Sequence, residues 1–307
     1  MSKIAFIFPG QGSQYVGMCA ELINNFSEAE HIMSKADKIL DMHLRSLCLK
    51  GPEDELNQTQ NTQPAIYTVS YLINKVLNEK DIYPKMVAGH SLGEYSALVA
   101  AGVFSFEDGL KLVRQRGLIM NRAVPASKGA MAAIIGLEDE KILAICQKVD
   151  GICEVANYNC PGQVVISGEK DAIEIASKLA EENGAKKVVL LDVSGPFHSS
   201  LMKAAEDEFT GVINEIQFNP PEYPVVANVT ADIVKKPEEI KDLLVKQLSG
   251  SVRWVESIKL MINHGIDTFI EVGPGRVLKG LMRRIDRSVN AYNVEDMKSL
   301  DKLLEKL

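Results

Sequence analysis

The sequence predicts an α/β protein: a mostly parallel sheet covered by helices, with a small ferredoxin-like βαββαβ unit inserted into the larger domain. Three observations carry this. Short apolar runs at 3–8 ("KIAFIF") and 85–90 ("KMVAGH") each end in a glycine turn and are separated by helical patterns over 17–42 and 64–79, the cadence of strands joined by covering helices. From 126 to 193 the rhythm changes to strand 130–136, helix 138–149, strands 153–159 and 163–168 around the turn "CPG", helix 170–183 and strand 186–193, which is the βαββαβ order. After it, α/β patterning resumes, with helix 199–215, a strand near 224–229, helices 237–247 and 252–264, strand 267–273 and helix 275–287.

Each element follows from local chemistry. The first strand stops at "PGQG", where proline and glycine break the run. The helix over 64–79 is set to open after the helix-breaking "NTQP". The inserted unit divides the chain into a large domain, 1–125 and 194–307, and a small domain, 126–193.

With 307 residues, 46% of them hydrophobic, the chain can bury a large core in one or two domains. No apolar run approaches the roughly 20 residues of a membrane helix, and Ile4 to Phe8 is too short for a secretory core, so a cytoplasmic protein without a membrane partner is expected. Five cysteines in no CxxC spacing imply neither a disulfide framework nor a zinc site, and no metal is expected. A net charge of -7 argues against a nucleic-acid surface but leaves room for a local basic patch. A monomer is the default expectation.

"GHSLG" at 89–93 fits G-x-S-x-G, the nucleophile elbow. Its glycines let a strand turn sharply into a helix and hold the Ser91 hydroxyl clear of the backbone. A serine hydroxyl needs a base. Of five histidines, His31 and His43 sit in polar helical patterns, His264 lies near a helix end, and alternation along the strand points His90 away from the serine. His198 remains, in "VSGPFHSSLM" where a strand ends and a helix starts. The group that orients it stays open, with Asp192, Asp267 and Glu271 all conceivable. The backbone N–H of Leu92, after the elbow, and that of Gln11, in "PGQGSQ", are candidate donors to an oxyanion.

In the helix over 106–123, Arg116 has Leu112 and Val113 a turn behind and Ile119 and Met120 a turn ahead, so it sits inside the apolar stripe. It must snorkel out, meet an internal acid or await an anionic ligand. Arg114 points the other way, toward solvent.

"FPGQGSQ", "TQPA" at 62–65, "GHSLGEYSAL" at 89–98, "RG" at 116–117, "ANYNCPGQVVISG" at 156–168, "PFH" at 196–198 and "EVGPGRVLKGL" at 271–281 together resemble the malonyl-CoA:acyl carrier protein transacylases of bacterial fatty acid synthesis. The resemblance runs almost end to end. It implies an α/β-hydrolase-like large domain and a ping-pong transfer of malonyl from malonyl-CoA to the phosphopantetheine thiol of acyl carrier protein, with no cofactor. Ser91 would be the nucleophile and His198 the base, held by a main-chain carbonyl near Gln247. Gln11 and Leu92 would supply the oxyanion hole. Arg116 would pair with the malonyl carboxylate, with Gln63 beside it, and bulky Phe197 looks like the malonyl-selective pattern.

Two rival readings stay open. A serine thioesterase or hydrolase shares elbow and histidine but passes the acyl group to water, and a scaffold that only binds carrier protein would form no adduct. An acyltransferase serving a polyketide synthase is a third possibility within the same chemistry. For docking an acidic carrier protein, Arg276, Lys279, Arg283 and Arg287 recur at helical spacing opposite Val277, Leu278, Leu281 and Ile285, with Lys186 and Lys187 as another patch.

Overall fold

Ten strands form two sheets in the computed structural model, which describes residues 3–125 and 127–307. Ala126, the expected first residue of the small domain, lies outside the described residues, as do Met1 and Ser2. In chain order the strands are β1 (Ile4–Phe8), β2 (Met86–Gly89), β3 (Gly129–Ile135), β4 (Cys153–Cys160) and β5 (Gln163–Glu169). Then follow β6 (Lys187–Leu190), β7 (Val225–Val226), β8 (Ile233–Val234), β9 (Thr268–Val272) and β10 (Asn290–Val294).

The large sheet runs β10-β9-β1-β2-β7-β8, parallel except at the β7–β8 edge. β1 is its centre. Phe6 and Phe8 point into one core with the helices Thr59–Asn78 and Phe106–Ala123, while Ala5 and Ile7 point into another with Trp254, Ile258 and Leu281. A strand buried on both faces reads as the continuous apolar run seen in the sequence.

The small sheet runs β4-β5-β3-β6, antiparallel throughout, with the helices Asp139–Lys148 and Lys170–Glu182 packed on it over a core of their own. This is the ferredoxin-like arrangement. It is not free of the large domain: Tyr158 N–H donates to the Val252 carbonyl at 2.9 Å, and Val252 N–H to Ala156 at 2.8 Å, so β4 extends its pairing into the 250–252 segment. Arg284 adds a second tie through Gln163 Oε1 (2.8 Å) and the Pro161 carbonyl (3.1 Å) at the β4–β5 turn.

The structure departs from the sequence reading in several places. The helix expected over 64–79 begins at Thr59, with Pro64 inside it. Proline removes the hydrogen bond to the carbonyl four residues back, and here that carbonyl, Gln60, instead accepts from Arg114 Nη1 at 2.5 Å. Arg114, expected to be solvated, also holds Asn61 Oδ1 at 2.7 Å. The helix expected over 199–215 is split into a 3-10 turn, Ser200–Met202, and the helix Ala204–Asn214. β6 ends at Leu190 instead of running to 193, with one further bond to β3 from Leu191 N–H to the Met131 carbonyl at 2.9 Å. β8, β10, the short helices Leu44–Lys50 and Glu53–Leu56, and the final helix Met297–Leu304 were not anticipated. Val277, grouped with the apolar side opposite the basic residues, is exposed.

All five cysteines are free and buried. Among the described residues no helix is long and apolar enough to cross a membrane.

Candidate active site

Ser91 is separated from the end of β2 only by His90 and has φ 51, a left-handed conformation that costs a non-glycine residue about 1–3 kcal/mol. Its surroundings enforce it. A Cβ on Gly89 would lie 1.9 Å from the Gly93 carbonyl carbon, and one on Gly93 would lie 2.0 Å from the Phe8 oxygen, so strand, turn and helix can approach only as glycines. Asn228, in the loop after β7, fastens the elbow: its Oδ1 accepts from Ser91 N–H and its Nδ2 donates to the Gly89 carbonyl, both at 2.7 Å.

His198 meets this serine from 107 residues away, with Nε2 2.8 Å from Ser91 Oγ. Its Nδ1 lies 2.8 Å from the Gln247 carbonyl and 3.1 Å from that of Gly250. Carbonyls only accept, so Nδ1 carries the ring proton and Nε2 offers its lone pair to the hydroxyl. Burial, and then the nearby Arg116 charge, push the His198 pKa down to about 3, which keeps the imidazole neutral. No acid bonds this histidine among the described residues. Asp267 instead accepts from Lys3 N–H, Glu271 from Leu278 and Lys279 N–H, and Asp192 lines an outer groove with Glu53 and Asp54. His90 turns to Asn159 Oδ1 at 2.7 Å and packs edge-on against Trp254.

Arg116 is 1% exposed. Its Nη1 donates to Gln63 Oε1 (2.8 Å), and its Nη2 to Gln247 Oε1 (2.9 Å) and to Ser91 Oγ (3.2 Å), while Tyr95 lies under the guanidinium at 5.2 Å. Its Nε has no partner among the described residues. A buried cation held only by neutral oxygens is costly unless an anion completes the site.

Ser91, His198, Arg116 and Gln63 line one cavity of about 110 Å³, together with Gln11, Leu92, Met120, Met131, Leu191, Val193 and Phe197. Neither Gln11 nor Leu92 uses its backbone N–H in a hydrogen bond among the described residues. Gln11 is steadied by its side chain on Thr59 Oγ1 at 3.2 Å. Phe197, 6% exposed, closes the wall beside the histidine. All eight side chains or amides singled out in the sequence thus border one space or brace its wall. Glu94 and Asn228, which join Gln247 and the elbow, were missed. Glu94 reads as an ordinary acid in a helix's first turn, and Asn228 as a loop residue.

The acyl transferase domain family matches residues 5–303. The malonyl CoA-acyl carrier protein transacylase of Bacillus subtilis is 46% identical over 310 residues, covering 100% of this chain and 98% of that protein. The crystal structure of the acyl carrier protein S-malonyltransferase of Vibrio cholerae superimposes with a TM-score of 0.96 at 46% identity, over 98% of this chain and 100% of the other. A malonyl-transacylase in complex with a type II polyketide synthase acyl-carrier protein gives a TM-score of 0.97 at 45% identity, with both chains fully covered. The chain belongs to the malonyl CoA-acyl carrier protein transacylase family.

Proposed function

We propose that this chain transfers the malonyl group of malonyl-CoA to the phosphopantetheine thiol of an acyl carrier protein, in fatty acid synthesis, through an ester on Ser91. The observation that carries the reading is Arg116: a buried guanidinium within hydrogen-bond reach of the nucleophile, bonded to two glutamines and to no carboxylate. It supplies what a carboxyl-bearing acyl group needs and what a general thioesterase does not.

In the first half-reaction His198 Nε2 takes the Ser91 proton as Oγ attacks the thioester carbonyl. The oxyanion forms against the N–H groups of Gln11 and Leu92, each worth about 3–4 kcal/mol in sites of this kind. The C–S bond breaks, and the imidazolium returns its proton to the departing CoA sulfur. In the second half the carrier thiol gives its proton to His198 and its sulfur attacks the ester carbonyl; the bond to Ser91 Oγ breaks, and the imidazolium returns the proton to that oxygen. The scheme calls for no metal and no redox cofactor, and the malonyl carboxylate sits on Arg116 throughout. Phe197 leaves little room for a branch on the malonyl α-carbon and so favours malonyl over methylmalonyl. The reading places the chain in the cytosol as a monomer, with neither nucleic acid nor membrane as partner.

Service to a polyketide carrier protein is the second reading, favoured by the likeness to the transacylase solved with such a partner. Intact-mass measurement after mixing with malonyl-CoA tests the first half. A malonyl adduct that Ser91→Ala lacks, and that holo carrier protein discharges, supports transfer; an adduct that only water discharges supports a hydrolase, and no adduct supports a scaffold. Comparing fatty acid and polyketide carrier proteins as acceptors separates the two pathways.

A further inference from the structure

Glu94 is an acid that the transfer scheme does not use, yet it is 3% exposed, directly beneath the nucleophile elbow. One of its oxygens, Oε2, receives two hydrogen bonds: from Gln247 Nε2 at 2.6 Å and from Asn228 N–H at 3.2 Å. Each of those residues bonds onward to the reacting groups. Gln247 Oε1 accepts from Arg116 Nη2 at 2.9 Å, and its Nε2 also reaches the Ser91 carbonyl at 3.1 Å. Asn228 holds Ser91 N–H and the Gly89 carbonyl.

A carboxamide has a donor end and an acceptor end of nearly equal size, and only its neighbours decide which way it faces. Flipped, Gln247 would aim its NH2 at the guanidinium, donor against donor. Acceptors on the opposite side prevent this: the Ser91 carbonyl and, at the shorter distance, Glu94 Oε2.

We infer that Glu94 is a positioning residue for malonyl transfer: by accepting from Gln247 and Asn228 it fixes the orientation of the Gln247 amide, and through it the guanidinium of Arg116. The inference rests on the transfer reading above. It makes the oxygen, rather than the charge, the working feature. Burial pushes the Glu94 carboxyl up to about 7, so near neutrality it is only partly ionised, while Oε2 can accept in either form.

The test uses two conservative variants of the full chain, each keeping a polar group at the buried position. Glu94→Asp keeps the carboxylate but withdraws it by one carbon–carbon bond, about 1.5 Å, beyond reach of Gln247. Glu94→Gln keeps an oxygen in place, held toward Asn228 N–H, and removes the charge. The readout is kcat/KM for acylation of Ser91 by malonyl-CoA divided by that for acetyl-CoA, followed by intact mass. Of the two acyl groups only malonyl carries a carboxylate for Arg116 to pair with, and the ratio does not depend on the fraction of protein folded. Thermal melts of both variants accompany it.

Glu94→Asp should lower the ratio about tenfold or more, and Glu94→Gln should hold it within about threefold of the unaltered chain. An unchanged ratio in Glu94→Asp overturns the inference, as does a fall in Glu94→Gln as deep as in Glu94→Asp, which would make charge the working feature. If the unaltered chain forms no malonyl adduct, the transfer reading fails and takes this inference with it; an active chain with an unchanged ratio removes this inference alone.

Discussion

Arg116 Nη2 lies 3.2 Å from Ser91 Oγ, so the guanidinium donates to the same oxygen whose proton faces His198. The cation therefore stands beside the atom to which the acyl group is joined, within reach of that group's far carboxylate. Removing it should penalise malonyl far more than uncharged substrates. A charge-assisted hydrogen bond contributes about 1.5–3 kcal/mol, so Arg116→Ala should cut malonyl-CoA acylation by about 10- to 100-fold while keeping or raising acetyl-CoA acylation. Equal losses on both substrates, measured by stopped-flow or intact mass, would contradict the assignment.

The histidine makes a pH prediction. A free imidazole gains its proton near pH 6.5, but burial and Arg116 hold His198 down to about 3. A base works in its neutral form, which persists above its pKa, so the acylation rate should stay nearly flat from pH 8 down to pH 5. A steep fall centred near pH 6.5 in single-turnover acylation would show an exposed, ordinary histidine.

At the elbow the constraint is steric. A methyl on Gly93 would overlap the Phe8 carbonyl, backbone against backbone, with no flexible side chain to yield. Gly93→Ala should destabilise the fold by about 3 kcal/mol, the upper range for overpacking, read as a lower urea midpoint. Gly211→Ala, at a helical position with open space around it, should leave the midpoint unchanged or raise it slightly.

The basic residues on and flanking the helix Val277–Ile285 are the face expected to dock the carrier protein in the second half-reaction. Arg283 and Arg287 are exposed, and Arg276, Lys279, Arg283, Lys298 and Lys302 border one groove between that helix, β10 and the final helix. Arg283→Glu with Arg287→Glu should raise KM for holo carrier protein about tenfold and spare KM for malonyl-CoA. Parallel changes in both constants would place docking elsewhere, with Lys186 and Lys187 the next face to reverse. Arg284 is a poor choice for this test because it ties the two domains together.

What could be read in advance follows from how each role is encoded. Ser91 was legible because the elbow's constraint is local: two glycines flank one serine within five residues. His198 came from elimination and strand order. Arg116 stood out as a charge inside an apolar stripe. Gln247 carries no such mark, since the atom that holds His198 is a main-chain oxygen, which every residue possesses; only the likeness to known transacylases pointed there. Glu94 and Asn228 act through contacts 134 residues apart in sequence, which no local pattern announces. Pro64 misled for an instructive reason: its lost hydrogen bond was counted as a helix stop, whereas an arginine from a neighbouring helix takes over the freed oxygen. β10 escaped because an edge strand with one partner, "NAYNV", need not be apolar throughout.

The backbone pairing of Tyr158 and Ala156 with Val252 has one more implication. The partner segment, 250–252, is also the one whose Gly250 oxygen steadies His198. Swinging the smaller lobe outward would therefore pull on the segment that carries one of the two carbonyls at His198 Nδ1, so the seating of that lobe and the aim of the imidazole are mechanically coupled.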